Sequence, residues 1–88
     1  MIHIITDSQF ERISSTSTPS GIAALCNVPR NHYIDFKESE WIYLDKIRDP
    51  GNLGTILRSA LWFGFKNIIL SAQSVDPYNP KAVRSGMG

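Results

Sequence analysis

Asn52 and Arg58, within "PGNLGTILRSALWFGF", are residues whose types could do chemistry together. A guanidinium presents a planar fork of donors that matches phosphate. A carboxamide at a helix start can accept an N–H as a cap. At about 100° per residue, Asn52, Thr55, Arg58, Ser59 and Trp62 gather on one side of a helix. Leu53, Ile56, Leu57, Ala60 and Leu61 recur at i, i+3, i+4, i+7 and i+8 on the other. Arg84 lies on a second helical segment, "KAVRSGMG". If both helices start from one rim, the two arginines could converge on phosphate, assisted by free N–H groups at the helix starts. The plainer alternative is that Asn52 caps the first helix and Arg58 solubilises it. Trp62 on such a face fits a partly buried or interface residue better than a base-stacking platform.

The elements that position these residues are readable from residue 41 onward. "WIYLDKI" is rich in β-formers and ends at the turn Asp49-Pro50-Gly51. Asn52 then stands where an N-cap is expected, and Gly64 is placed to end the helix in a left-handed conformation. "KNIILS" follows as a buried strand. Strand, helix and strand within about 30 residues predict a βαβ unit with parallel strands and a right-handed crossover. Asn52 falls beyond the carboxyl end of the first strand, on the rim where open α/β sheets bind ligands. The loop "AQSVDPYNP" opens on that rim too, and Asn79-Pro80 reads as an N-cap with proline at the first helical position.

The amino-terminal part is less regular. "MIHIIT" predicts a short buried strand, "SQFERIS" a brief helix and "STSTPSG" a turn-rich connector. "GIAALCNV" is a second strand candidate. Residues 30 to 40, polar and without periodicity, read as a linker and as the best domain boundary.

Composition bounds the class. Eighty-eight residues with 42% hydrophobic and 19% charged side chains suit one small soluble domain, or parts of two. No apolar run approaches the roughly 20 residues that span a bilayer, and no signal peptide is apparent. Cys26 is the single cysteine, which fits a reducing compartment and makes the cytoplasm the default. Residues 1 to 45 carry Arg12, Arg30 and Lys37 against six acidic residues, a balance of −3; from Lys46 onward six basic residues face Asp49 and Asp76, a balance of +4. The carboxyl half is therefore suited to an anionic partner. His3, His32 and Cys26 lack metal-ligand spacing, and no nucleophilic triad can be assembled. Asp49-Pro50-Gly51-Asn52-Leu53-Gly54 is neither a Walker loop nor a dinucleotide fingerprint.

Asn52-Leu53-Gly54-Thr55-Ile56-Leu57-Arg58-Ser59-Ala60 closely resembles the first signature, Asn-x-Gly-x-Ile-x-Arg-x-Ala, of the SpoU (TrmH-like) RNA ribose methyltransferases of the SPOUT superfamily. The flanking "LDKIRDPGN", "FGFKNIILS" and "NPKAVRSGMG" are similar to that family in the same order. "TPSGIAAL" resembles the end of the small RNA-binding domain that many members carry in front. The resemblance covers nearly the whole chain. It implies an α/β-knot methyltransferase, in which S-adenosylmethionine methylates a ribose 2′-hydroxyl of rRNA or tRNA. Residues 1–29 would then be the carboxyl-terminal part of a small α/β RNA-binding domain, 30–40 a linker, and 41–88 the amino-terminal half of the methyltransferase domain.

By the same resemblance Asn52 and Arg58 match the catalytic pair, Lys81, Arg84 and Ser85 would meet RNA, and the protein would be a homodimer. The family's second signature, Gly-x-Glu, and third, Ser-Leu-Asn-Val, do not occur in residues 1–88. The chain stops at Gly88, inside what should be a helix. The expectation is thus an internal piece of an enzyme, lacking the cofactor pocket and inactive alone. Two other readings stay open: a non-catalytic RNA-binding or dimerisation module with the same fold, and a mononucleotide-binding βαβ domain supported only by the rim geometry.

Overall fold

β1 (Trp41–Leu44) and β2 (Asn67–Leu70) run side by side and parallel, in register from Trp41 with Asn67 to Leu44 with Leu70. The computed structural model describes residues 1–30, 34–37 and 40–88. Two other helices, α1 (Asp7–Ile13) and α3 (Pro80–Ser85), flank the βαβ unit in sequence, and α2 (Pro50–Trp62) is its crossover. The side-chain period of two is visible in both strands. Ile42, Leu44, Ile68 and Leu70 are half-buried, whereas the paired Tyr43 and Ile69 are exposed.

α2 begins two residues earlier than Asn52. Asp49 is its N-cap, accepting the Asn52 N–H at 2.7 Å, and Pro50 occupies the first turn. Asp-Pro outcompetes Asn52 for a physical reason: a carboxylate accepts a backbone N–H strongly, and proline presets the first helical φ. The helix ends as expected at Gly64, whose φ is +86°. The Gly64 N–H donates to the Leu61 carbonyl at 3.0 Å and the Phe65 N–H to that of Ala60 at 2.9 Å, which is the Schellman pattern.

The apolar stripe is borne out in part. Leu53 and Ala60 are buried, and Ile56 and Leu57 half-buried, but Leu61 is 73% exposed. Gly54, at the azimuth next to Leu61's on the helix, is buried instead, because α3 crosses α2 there. α3 is a short helix of 6 residues, so it covers only the amino-terminal turns of α2 and leaves Leu61 open. A Cβ at Gly54 would overlap the Ser85 hydroxyl and the Ala82 carbonyl oxygen. Among the described residues the buried apolar side chains are Leu53, Ala60 and Ala82, all on this helix pair.

α3 itself starts as read, with Asn79 accepting the Lys81 N–H at 2.9 Å and Pro80 following. It does not continue to Gly88. The Met87 N–H donates to the Arg84 carbonyl at 3.1 Å and the Gly88 N–H to that of Val83 at 3.0 Å, with Met87 at φ +65°. Those bonds close the helix at Ser85.

The amino-terminal part departs from expectation more clearly. α1 forms, fixed by a reciprocal capping box between Thr6 and Gln9. The runs 1–6 and 21–28 are not strands; both are exposed and unpaired. Apolar runs become strands only when a neighbouring strand satisfies their backbone, and among the described residues none does. Part of the 30–40 linker, residues 31–33 and 38–39, lies outside the described residues, as does His32. Within the remainder, Phe36 stands 6.3 Å from Trp41, ring centre to ring centre.

Candidate active site

α2 sets out from the carboxyl end of β1 with its apolar side turned inward. The opposite side carries Asn52, Thr55, Arg58, Ser59 and Trp62, all exposed, as the helical spacing predicts. Asn52 is in the first turn, held by its own N–H on Asp49 rather than by a capping role of its carboxamide. Its side chain is therefore left free for a ligand. Thr55 turns its hydroxyl back to the Gly51 carbonyl at 3.0 Å, so it offers the open face mainly a methyl group. Arg58 lies six residues further on, somewhat under two turns and about 9 Å along the axis from Asn52. The two side chains can flank one ligand but do not touch directly.

The second rim element is the loop after β2. The Tyr78 N–H donates to Asp76 Oδ1 at 2.9 Å and the Asn79 N–H to the Asp76 carbonyl at 3.0 Å, a compact turn that launches α3. On α3, Lys81 and Arg84 are exposed. Arg84 Nη1 donates to Ser15 Oγ at 2.9 Å, tying α3 to the connector after α1. Its partner is a neutral hydroxyl, so that bond does not neutralise the guanidinium charge. Ser85 is half-buried, and its hydroxyl proton faces the Ala82 carbonyl at 3.1 Å and the Pro50 carbonyl at 3.3 Å. Of the expected anion contacts, Arg58, Lys81 and Arg84 are thus on the surface, while Ser85 lies in the contact between the helices.

Two residues at this rim escaped the reading of the sequence. Ser71 and Ser74 join the loops after β1 and β2 through their hydroxyls. Among the described residues, one open groove runs along Asn27, Val28 and Arg30 and another lies between the connector and α3, where Tyr78 and Arg84 contribute. Neither is lined by Asn52 or Arg58. No group of metal-ligating side chains occurs among the described residues, and no helix there is long and apolar enough to cross a membrane.

An exposed Asn and Arg on the open face of a rim helix can hold a polyanion's sugar and phosphate. Comparison with known proteins places the chain in a family. The chain is 31% identical over 86 residues to the 23S rRNA (guanosine(2553)-2′-O)-methyltransferase RlmP of Bacillus subtilis, covering 98% of this chain and 34% of that protein. It is 37% identical over 90 residues to the mitochondrial rRNA methyltransferase 3 of Homo sapiens, covering 91% of this chain and 21% of that protein. An uncharacterized tRNA/rRNA methyltransferase of Synechocystis is 33% identical over 87 residues, 98% of this chain and 32% of the relative. The chain thus spans about a third or less of these relatives. No solved structure matches it. The profile of the SpoU rRNA Methylase family matches residues 40–88, which contain the whole βαβ unit and α3, and the chain belongs to that family.

Proposed function

We propose that residues 41–88 are the substrate-side half of an RNA 2′-O-methyltransferase, with residues 1–29 contributing to RNA binding and 30–40 linking the two. What supports this most directly is the coincidence of two findings. The family match spans residues 40–88, and within it Asn52 and Arg58 both present free side chains on the open face of α2.

A ribose hydroxyl is a weak nucleophile at neutral pH, so positioning and charge stabilisation carry the reaction. Arg58 stabilises the negative charge that develops on the 2′-oxygen as its proton leaves, or holds the adjoining phosphate through its donor fork. Asn52 orients the ribose, its carboxamide offering both a donor and an acceptor. S-adenosylmethionine, as the family's methyl donor, supplies an electrophilic methyl group for the 2′-oxygen. Lys81 and Arg84 hold RNA phosphates, and Arg84 exchanges its neutral Ser15 partner for a charged one. Ser85 is better suited to packing, because its proton is turned inward. The substrate is rRNA or tRNA, the compartment is the cytoplasm, and the protein works as a homodimer.

The test is transfer of tritiated methyl from S-adenosylmethionine to RNA by the full-length protein that carries residues 1–88. Incorporation that depends on Arg58 supports the reading. RNA binding without transfer would favour the non-catalytic module instead.

A further inference from the structure

The two serines at the rim carry an inference that rests on the proposed activity and deepens it. The parallel ladder ends at Leu44 and Leu70, and the Ser71 N–H extends it by donating to the Leu44 carbonyl at 3.0 Å. Beyond that point the two chains would ordinarily diverge. Here they are stitched together. The Lys46 N–H donates to Ser71 Oγ at 2.8 Å, the Ile47 N–H donates to Ser74 Oγ at 3.2 Å, and the two hydroxyls bond each other at 3.0 Å. The Val75 N–H closes the other side by donating to the Ile47 carbonyl at 2.8 Å.

Lys46 sits at φ +53°, a left-handed conformation that a side chain with a Cβ adopts reluctantly. Such a residue persists where its surroundings over-determine it, and such residues cluster at functional sites. The over-determination is visible, since the Lys46 N–H and the next one along both end on the serine pair. Lys46 turns the chain out of β1 only three residues before Asp49. Asp49 then fixes the Asn52 N–H at 2.7 Å. The path from the serine hydroxyls to the Asn52 side chain therefore runs through one bent segment and one cap.

We propose that Ser71 and Ser74 are positioning residues: their paired hydroxyls hold the β1–α2 loop in its strained form and so set where Asn52 meets the ribose. They touch no substrate. Their effect is on turnover, because misplacing a reacting group by about 1 Å can cost on the order of 100-fold in rate. The burden on folding is small at the exposed Lys46 amide, where water can replace the lost acceptor, and larger at the Ile47 amide, whose bond is partly buried, so melting is read beside turnover.

The experiment compares the full-length protein carrying residues 1–88 with its Ser71→Ala/Ser74→Ala and Ser71→Thr variants. Methyl transfer, thermal melting and amide hydrogen exchange are read on each. The expected result is a kcat lower by about 10- to 100-fold in the double alanine variant, with KM for S-adenosylmethionine unchanged. Exchange should accelerate at Lys46 and Ile47, and Ser71→Thr should retain near-normal turnover. Unchanged kcat in the double variant would overturn the positioning role while leaving the proposed activity standing. A kcat loss that merely followed early melting, and that Ser71→Thr shared, would also overturn it. No transfer by the unaltered protein would remove the proposed activity and this inference together.

Discussion

At the residue scale, Arg58 and Asn52 are separable from the fold they stand on. Arg58 is exposed on α2, where substitutions usually change stability by no more than about 0.5 kcal/mol. Loss of a preorganised charge stabiliser can cost roughly 3 kcal/mol in the transition state, a hundredfold or more in rate. Arg58→Ala in the full-length protein should therefore cut turnover severely and leave the melting temperature almost unmoved. Arg58→Lys should restore little, because an ammonium lacks the planar fork. An early-melting Arg58→Ala variant with normal specific activity would make the residue structural. The capping assignment gives a second separation. Asp49→Ala should destabilise α2 by about 1 kcal/mol, whereas Asn52→Ala should not, since it is the Asn52 backbone that meets Asp49. Urea melts of both variants check this, and equal losses would return the cap to Asn52. The sequence offered the right signal in Asp49-Pro50, but a β-turn and a capped helix start share the same residue types.

At the element scale, the α2–α3 crossing depends on one missing side chain. Gly54 lies in a helix interior, where glycine costs about 1 kcal/mol relative to alanine. It is tolerated because the Ala82 carbonyl and the Ser85 hydroxyl occupy the space a Cβ would take. Gly54→Ala gains helix propensity yet should destabilise by roughly 1–3 kcal/mol, the usual cost of overpacking. Thermal denaturation decides: a variant as stable as its parent would mean that the helices can separate freely at this point. The βαβ unit was legible because its evidence is local. The β-former-rich runs, the 3.6-residue period of α2 and the Gly64 terminus are each signals carried by neighbouring residues. The failures are non-local. "MIHIIT" and "GIAALCNV" have strand composition, but a strand requires a partner that composition cannot name. Leu61 fits the apolar period and is exposed because α3 is too short to reach it. The Ser71 and Ser74 hydroxyls meet amides more than twenty residues away, a pairing that no periodicity encodes.

At the scale of the whole molecule, apolar surface exceeds the partners available to it. The radius of gyration is 15.7 Å, against about 12 Å for a compact domain of this length. Trp62 and Phe63 are 85% and 76% exposed at the end of α2, beside Leu61, and one sheet face shows Tyr43 and Ile69. Parallel sheets are ordinarily covered on both faces. Residues 1–88 in isolation should therefore associate, with light scattering giving a mass that rises with concentration. A sharp monomer at high concentration with a cooperative melt would show a self-sufficient domain instead. The same 88 residues should bind S-adenosylmethionine weakly or not at all, since the two signatures that build the cofactor pocket in the family they resemble do not occur in residues 1–88. Micromolar binding by calorimetry would contradict that.

The proposed chemistry, methyl transfer to a ribose oxygen under the control of Arg58, can be read directly on the product. The most direct measurement is mass spectrometry of nuclease-digested RNA after incubation with S-adenosylmethionine and the full-length protein, unaltered or Arg58→Ala. A 2′-O-methylated nucleoside is expected from the unaltered protein, reduced a hundredfold or more in the variant. A methyl group on a base, or a ribose methyl that forms equally well without Arg58, would contradict it.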